Sequence, residues 1–169
     1  GHAVAQTKDL ISTEIDAVAV LYGDQPFSDQ VMVEKLITRH RQHPGPVTMG
    51  TILVDDFNEW RSAFKGYGRI IRDENMVISA IVEYRDASDE ERQITEVNPA
   101  YFVFDKNWLF DSLELVGSEN SQNEIYLTDL VKIAFDQGYK IKSVSINPLK
   151  GLGANTKEQL ETLEKIDSR

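Results

Sequence analysis

The stretch Ala17-Val18-Ala19-Val20-Leu21-Tyr22-Gly23-Asp24 decides how the fold is read. Residues 17–22 are apolar or aromatic without polar alternation, which predicts a fully buried strand of the parallel type. Gly23 ends the run and leaves Asp24 at its carboxyl end, where open α/β sheets collect their ligands and where a carboxylate can reach a metal. Taken alone, the same acid serves equally well as a cap on the turn before Pro26.

Working outward, Ser28 is placed to cap a helix in which Val33, Leu36 and Ile37 recur at helical spacing, ending before His43-Pro44-Gly45-Pro46. A strand is expected over 47–54, then a short helical insertion over 55–65 and a turn at Gly66-Tyr67-Gly68. Residues 69–72 and 76–83, joined by Asp73-Glu74-Asn75, read as a hairpin. Ser88 and Glu91 have capping-box spacing, and a further strand is expected over 96–104. Asp105 caps a helix presenting Leu109, Leu113 and Val116, and a polar loop follows over 117–123. Thr128 or Asp129 opens another helix that Gly138 can close in the left-handed conformation. A strand over 140–146 precedes a last helix, with a second capping box at Thr156 and Gln159 and with Leu160 and Leu163 on one face. Helices and strands alternate around one inserted hairpin, which predicts a mixed α/β sheet covered by helices on both faces. Such domains usually open on a strand and a glycine-rich turn, whereas Gly1-His2-Ala3-Val4 runs into a polar, helix-like segment. The expectation is therefore one partial domain over 1–169, truncated at its amino end.

The 169 residues, 41% hydrophobic and 27% charged, suit one globular unit with a real core. A formal net charge of −10 argues against binding a nucleic-acid polymer, which needs clustered cations to replace phosphate counterions. A small phosphorylated ligand is compatible with that charge, because a divalent cation and backbone N–H groups act at short range. No cysteine is present, which removes disulfides and thiolate chemistry and fits a reducing compartment. No apolar run approaches the roughly 18 residues of a membrane span, so the cytoplasm is the expected location.

Seven segments, taken in order, resemble the bacterial N-acetylglucosamine-1-phosphate uridylyltransferases, a family of sugar-1-phosphate nucleotidyltransferases. They are Gly1-His2-Ala3-Val4, Leu21-Tyr22-Gly23-Asp24-Gln25-Pro26, Gly66-Tyr67-Gly68-Arg69-Ile70, Ile81-Val82-Glu83-Tyr84-Arg85-Asp86-Ala87, Glu96-Val97-Asn98, Gln122-Asn123-Glu124-Ile125-Tyr126-Leu127-Thr128-Asp129 and Gly153-Ala154-Asn155-Thr156. The resemblance implies a Rossmann-like nucleotidyltransferase fold of the GT-A type. It also implies Mg²⁺ held by Asp24 and Asn155, the two residues expected to carry catalysis. Magnesium prefers hard oxygen donors and keeps several waters, so one carboxylate, one amide oxygen and substrate phosphates form a sensible set. Tyr22, Gly23, Gly68, Glu83, Asn98, Tyr126 and Thr128 match positions around the sugar phosphate, where fixed polar groups discriminate among hydroxyls.

Without that context the same residues have plainer readings. Asn155 is a turn residue, Glu83 a solvated strand end, Asn98 a strand irregularity, Thr128 a helix N-cap and Tyr126 a core tyrosine. His40 and His43 read as solvent-exposed rather than as a metal pair lacking a third ligand, and His2 as a packing or helix-start residue. Asp55-Asp56 and the 86–92 run read as solvated faces.

The chain departs from the family pattern in two places. Pro99-Ala100 replaces the usual Thr-Gly, removing an N–H and adding a side chain beside the sugar pocket. The family's glycine-rich phosphate loop has no counterpart here.

The implied reaction is attack of a sugar 1-phosphate oxygen on the α-phosphorus of UTP or another nucleoside triphosphate, with release of pyrophosphate. The nucleophile is already anionic, so no general base is needed. Homo-oligomers form in this family through a region outside these residues. A glycosyltransferase is the first rival, but its Asp-x-Asp is replaced here by Gly23-Asp24-Gln25. A noncatalytic binding or regulatory module is the second.

Overall fold

The computed structural model describes residues 1–42, 45–117, 119–122, 124–154 and 157–167. The long central strand β2 (Val47–Leu53) alternates apolar positions toward both faces. Val47 and Met49 join one buried cluster, and Ile52 joins the other. Strand β6 (Phe102–Asp105) shows the same alternation, with Phe102 and Phe104 on one side and Val103 on the other. A sheet buried on both faces needs helices on both. Helices α3 (Lys106–Leu113) and α4 (Asp129–Asp136), with the short α1 (His2–Ala5), cover the first face. Helix α2 (Gln30–Gln42) and Leu163 of α5 (Lys157–Asp167) cover the second. Leu160, expected beside Leu163, is 47% exposed.

Strands β5 (Glu96–Asn98) and β6 lie end to end along one edge of β2, where Ile52 faces Val97 and Met49 faces Phe102. They are one strand broken at 99–101, where a single strand over 96–104 was expected. The break has a local cause. Pro99 has no N–H to give a ladder, and Ala100 takes φ 63°, held by its N–H donating to Asn98 Oδ1 at 2.9 Å. Across the break Gly50 N–H donates to Tyr101 O, at 2.8 Å.

The other edge of this broken strand carries β1 (Ala17–Val20) opposite β6 and β3 (Gly68–Arg72) opposite β5. Val20 faces Phe102 and Gly68 faces Asn98, so β1 ends and β3 begins on either side of one gap. Strand β4 (Ile78–Val82) pairs antiparallel with β3, which is the expected hairpin, and β7 (Lys142–Ser145) pairs parallel with β2.

Two local expectations are corrected. Strand β1 is neither parallel nor fully buried. It pairs antiparallel with β6, Ala19 is exposed, and an apolar groove of about 670 Å³ runs beside Val18, Val20 and Leu21 toward Val4 and Ile11. An apolar run reveals that a strand can be buried, while its direction and coverage depend on residues elsewhere in the chain. The N-terminal cap of α2 is Asp29, whose Oδ1 accepts from Met32 N–H at 2.8 Å; Ser28 Oγ instead donates to Gln25 O.

Three other caps form as read. Asp105 Oδ1 accepts from Trp108 N–H, Ser88 and Glu91 exchange both capping-box bonds, and Gly138 closes α4 at φ 84°. The Thr156 capping box lies outside the described residues.

Candidate active site

The gap between the end of β1 and the start of β3 gathers residues far apart in the chain. On one side, the pairing of Arg69 with Val82 sets Gly68 beside Glu83 at the end of β4. A methyl group on Gly68 would press on Ile81 Cγ2 at 2.9 Å and lie 3.4 Å from the Glu83 carboxylate, so a larger residue here would displace Ile81 beside the carboxylate. Thr128 Oγ1 donates to Glu83 Oε1 at 2.9 Å. Thr128 thus stands at the N-cap of α4 without capping it, because its hydroxyl is spent on Glu83. Burial raises the Glu83 pKa, the Thr128 hydrogen bond opposes that, and the nearby Asp129 and Asp86 carboxylates add to the rise. Glu83 is therefore a half-buried, oriented group and not a solvated strand end. Asn98 is buried at the end of β5, its Oδ1 turned back on Ala100 N–H.

Tyr22 is near enough to both Glu83 and Asp24 to feel their carboxylates. Its hydroxyl pKa is raised by burial first and then by the Glu83 and Asp24 carboxylates. A Cβ built on Gly23 meets nothing within 4 Å, which leaves its backbone open to a ligand. The Tyr126 hydroxyl is buried beside Ser121 and Asp86, and burial raises its pKa.

On the other side stands Asp24. Its backbone oxygen accepts from Ala154 N–H at 3.0 Å, and a methyl on Gly153 would lie 3.5 Å from its Oδ2. Residues 24 and 154 therefore meet. Asn155, next in the chain, lies outside the described residues, as do Thr156, Asn123 and His43. Among the described residues nothing donates a hydrogen bond to the Asp24 carboxylate, and no cluster of three or more His, Cys, Asp or Glu could hold a metal. One open carboxylate beside a segment that leads into an amide side chain fits Mg²⁺, which needs few protein ligands when phosphates supply the rest.

Sequence reasoning missed the residues that hold this side together. Tyr67 Oη donates to Gly151 O at 2.7 Å and Tyr101 Oη to Lys150 O at 2.6 Å. Gln25 Nε2 donates to Pro99 O at 2.9 Å and to Gly151 O at 3.4 Å. Lys150 pairs with Asp29. Arg69 was also missed. It is fully buried without a carboxylate, donating to the carbonyls of Lys65, Tyr67 and Arg92, with its guanidinium 4.6 Å from the Phe57 ring and 5.1 Å from that of Tyr84. Burial lowers its pKa, yet guanidinium stays charged in proteins. The only signal was position, since Tyr67 and Arg69 flank Gly68.

Pro99 Cβ lies against Gly151, and Ala100 packs on the first core cluster. One further expectation changes. His40 is half-buried, with Nδ1 3.1 Å from Thr48 Oγ1 and its pKa lowered by burial, where a solvent-exposed ring was expected.

No family model matches the chain. It is 35% identical over 164 residues to the bifunctional protein GlmU of Bacillus licheniformis, covering 96% of this chain and 34% of that protein. The bifunctional protein GlmU of Bacillus subtilis is 33% identical over 166 residues, covering 98% and 35%. That of Corynebacterium efficiens is 37% identical over 161 residues, covering 95% and 32%. The chain thus spans about a third of the length of the relatives it matches.

Among solved structures, a Bacillus anthracis protein described as a glucose-1-phosphate thymidylyltransferase superposes with TM-score 0.68 at 16% identity, covering 98% of this chain and 59% of that one. A CMP:2-keto-3-deoxy-manno-octonic acid synthetase complexed with CTP superposes with TM-score 0.65 at 14% identity, covering 99% and 67%. The mixed, Rossmann-like α/β fold that the resemblance implied is the fold this chain shares with these structures.

Proposed function

We propose that this chain, homologous along nearly its whole length to a third of the bifunctional GlmU proteins, is the sugar-phosphate and metal-binding part of a sugar-1-phosphate nucleotidyltransferase. The reaction transfers a nucleotidyl group from UTP, or another nucleoside triphosphate, to N-acetylglucosamine 1-phosphate or a related sugar 1-phosphate, and releases pyrophosphate. The observation that carries this reading is the gap itself: Asp24 and the 153–154 segment face the oriented Glu83, Thr128 and Gly68 across the ends of β1 and β3. A bound Mg²⁺, held by Asp24 and Asn155, would neutralise phosphate charge.

The chain's own residues supply recognition and orientation. Glu83 accepts from a sugar hydroxyl or amide, and the Thr128 hydroxyl keeps its carboxylate turned toward the ligand. Gly68 and Gly23 let backbone approach the ligand closely, and Asn98 and Tyr126 offer further polar contacts. Tyr22, half-exposed between the two sides, lines the passage from sugar to phosphate. No proton need be removed from a sugar phosphate that is already anionic, so the catalytic work is in-line positioning.

No described helix is long and apolar enough to cross a membrane, and a cytoplasmic location goes with this reading. The net charge of −10 supports a small phosphorylated ligand over a nucleic-acid polymer. Self-association through regions outside these residues is part of the same proposal.

Pyrophosphate release from UTP, N-acetylglucosamine 1-phosphate and Mg²⁺, assayed with the chain in its complete domain, tests the proposal. Metal-dependent release is expected from the complete domain and none from the 169 residues alone. Sugar-phosphate binding without release would favour the noncatalytic module instead.

A further inference from the structure

The segment 152–154, which brings Ala154 onto Asp24, belongs to no helix or strand. What fixes it is the turn before it, Pro148–Gly151, and that turn is gripped by its carbonyls. Tyr101 Oη donates to Lys150 O, while Tyr67 Oη and Gln25 Nε2 donate to Gly151 O. The three donors come from three places: the loop after β1, the residue before β3, and the break between β5 and β6. All three border the same gap.

The turn is also pressed down onto its floor. A methyl on Gly151 would overlap Ile52 Cδ1 and stand 3.2 Å from Pro99 Cβ. Gln25 fastens the floor as well, through Pro99 O. A carbonyl drawn into such a gap needs a donor there, and no backbone ladder supplies one.

We infer that Tyr67, Tyr101 and Gln25 are positioning residues that lock the 148–151 turn and so hold the 152–154 segment against Asp24, the acid assigned to the divalent cation. This rests on the metal assignment of the proposed function. None of the three touches the reacting groups; they act through the turn. Tyrosine suits this task because the ring is anchored in the second core cluster, as Tyr101 is, while the hydroxyl reaches a backbone acceptor.

The test uses the Tyr67→Phe/Tyr101→Phe double variant, which keeps both rings and removes only the two donors, with Tyr67→Phe alone as the milder form. Amide hydrogen exchange reads the Ala154 N–H bond to Asp24 O, and line broadening by Mn²⁺ reads amides near a bound cation. In the unaltered chain Mn²⁺ is expected to broaden Gly23 and Ala154 together. In the variants, folded by the spread of their amide resonances, Ala154 protection should fall roughly tenfold and its broadening should weaken, while broadening at Gly23 persists. A folded double variant with unchanged Ala154 protection and equal broadening at both amides overturns the inference. Broadening at neither amide in the unaltered chain overturns the metal reading itself, and the link to it.

Discussion

The two sides of the gap are built by different means. On the side proposed to hold the sugar, strand register does the placing: Gly68 sits opposite Asn98, Arg69 opposite Val82, and Glu83 is delivered by the hairpin with one side-chain bond from Thr128. On the side proposed to hold the metal no described ladder reaches 152–154, and side-chain donors from distant elements fix the turn before it instead. A register is cooperative, since moving one residue means moving the strand. A set of separate side-chain hydrogen bonds can loosen one at a time. The sugar side is accordingly rigid by construction, and the metal side is adjustable by small substitutions.

The largest effect that would break this comparison is at Asp24. Asp24→Ala in the complete domain is expected to abolish Mg²⁺-dependent pyrophosphate release while thermal unfolding stays close to that of the parent, since no described residue depends on its carboxylate. Near-normal turnover would remove Asp24 from the metal side.

Next in size is Gly151→Ala, which forces a methyl into the Ile52 side chain beneath the turn. Overpacking of this kind costs about 1–3 kcal/mol, measurable by urea denaturation, and an unchanged midpoint would show that the turn is not pressed on its floor.

Glu83→Gln sharpens the contrast through pH. The folded-state pKa of Glu83 lies above its ordinary value of 4.5, so the folded chain binds that proton more tightly than the unfolded chain does. Stability from this group is present at low pH and is lost as pH rises from 4.5 through the raised folded value. Glutamine keeps the Thr128 partner and carries no charge. The variant should therefore match the parent near pH 4 and unfold at a higher temperature near pH 8; parallel curves across that range would show that the carboxylate is not burdened by burial.

The smallest effect is expected at the break in the strand. Ala100→Gly relieves a left-handed residue at φ 63° but loosens the unfolded chain, a net gain of up to about 1 kcal/mol. A loss of stability would mean that the methyl's core packing outweighs its backbone strain.

Much of the sugar side could be read from the chain. The Asp73-Glu74-Asn75 turn specified the hairpin, whereas the segments holding Gly68, Glu83, Asn98 and Thr128 were legible only together, through their resemblance in order to those of a known family. The metal side was legible only at its ends, Asp24 and the Gly153-Ala154-Asn155 segment. Tyr67, Tyr101 and Gln25 gave no sign of their role, because a tyrosine that donates to a carbonyl 84 or 49 positions away looks like any core tyrosine. Thr128 illustrates the same limit. Its place before a helix was correct, yet whether its hydroxyl caps that helix or orients Glu83 depended on a strand 45 positions earlier.

The sequence by itself determined the approximate place of most strands and helices, where most caps and turns fall, and that an acid follows the first strand, because these follow from periodicity and from interactions within a few residues. Tertiary structure alone decided that β1 runs antiparallel at a sheet edge, that β5 and β6 form one broken strand, and that Ala154 closes on Asp24. Those facts depend on pairings between segments up to 130 positions apart, where each side chain's partner is set by the path of the whole chain.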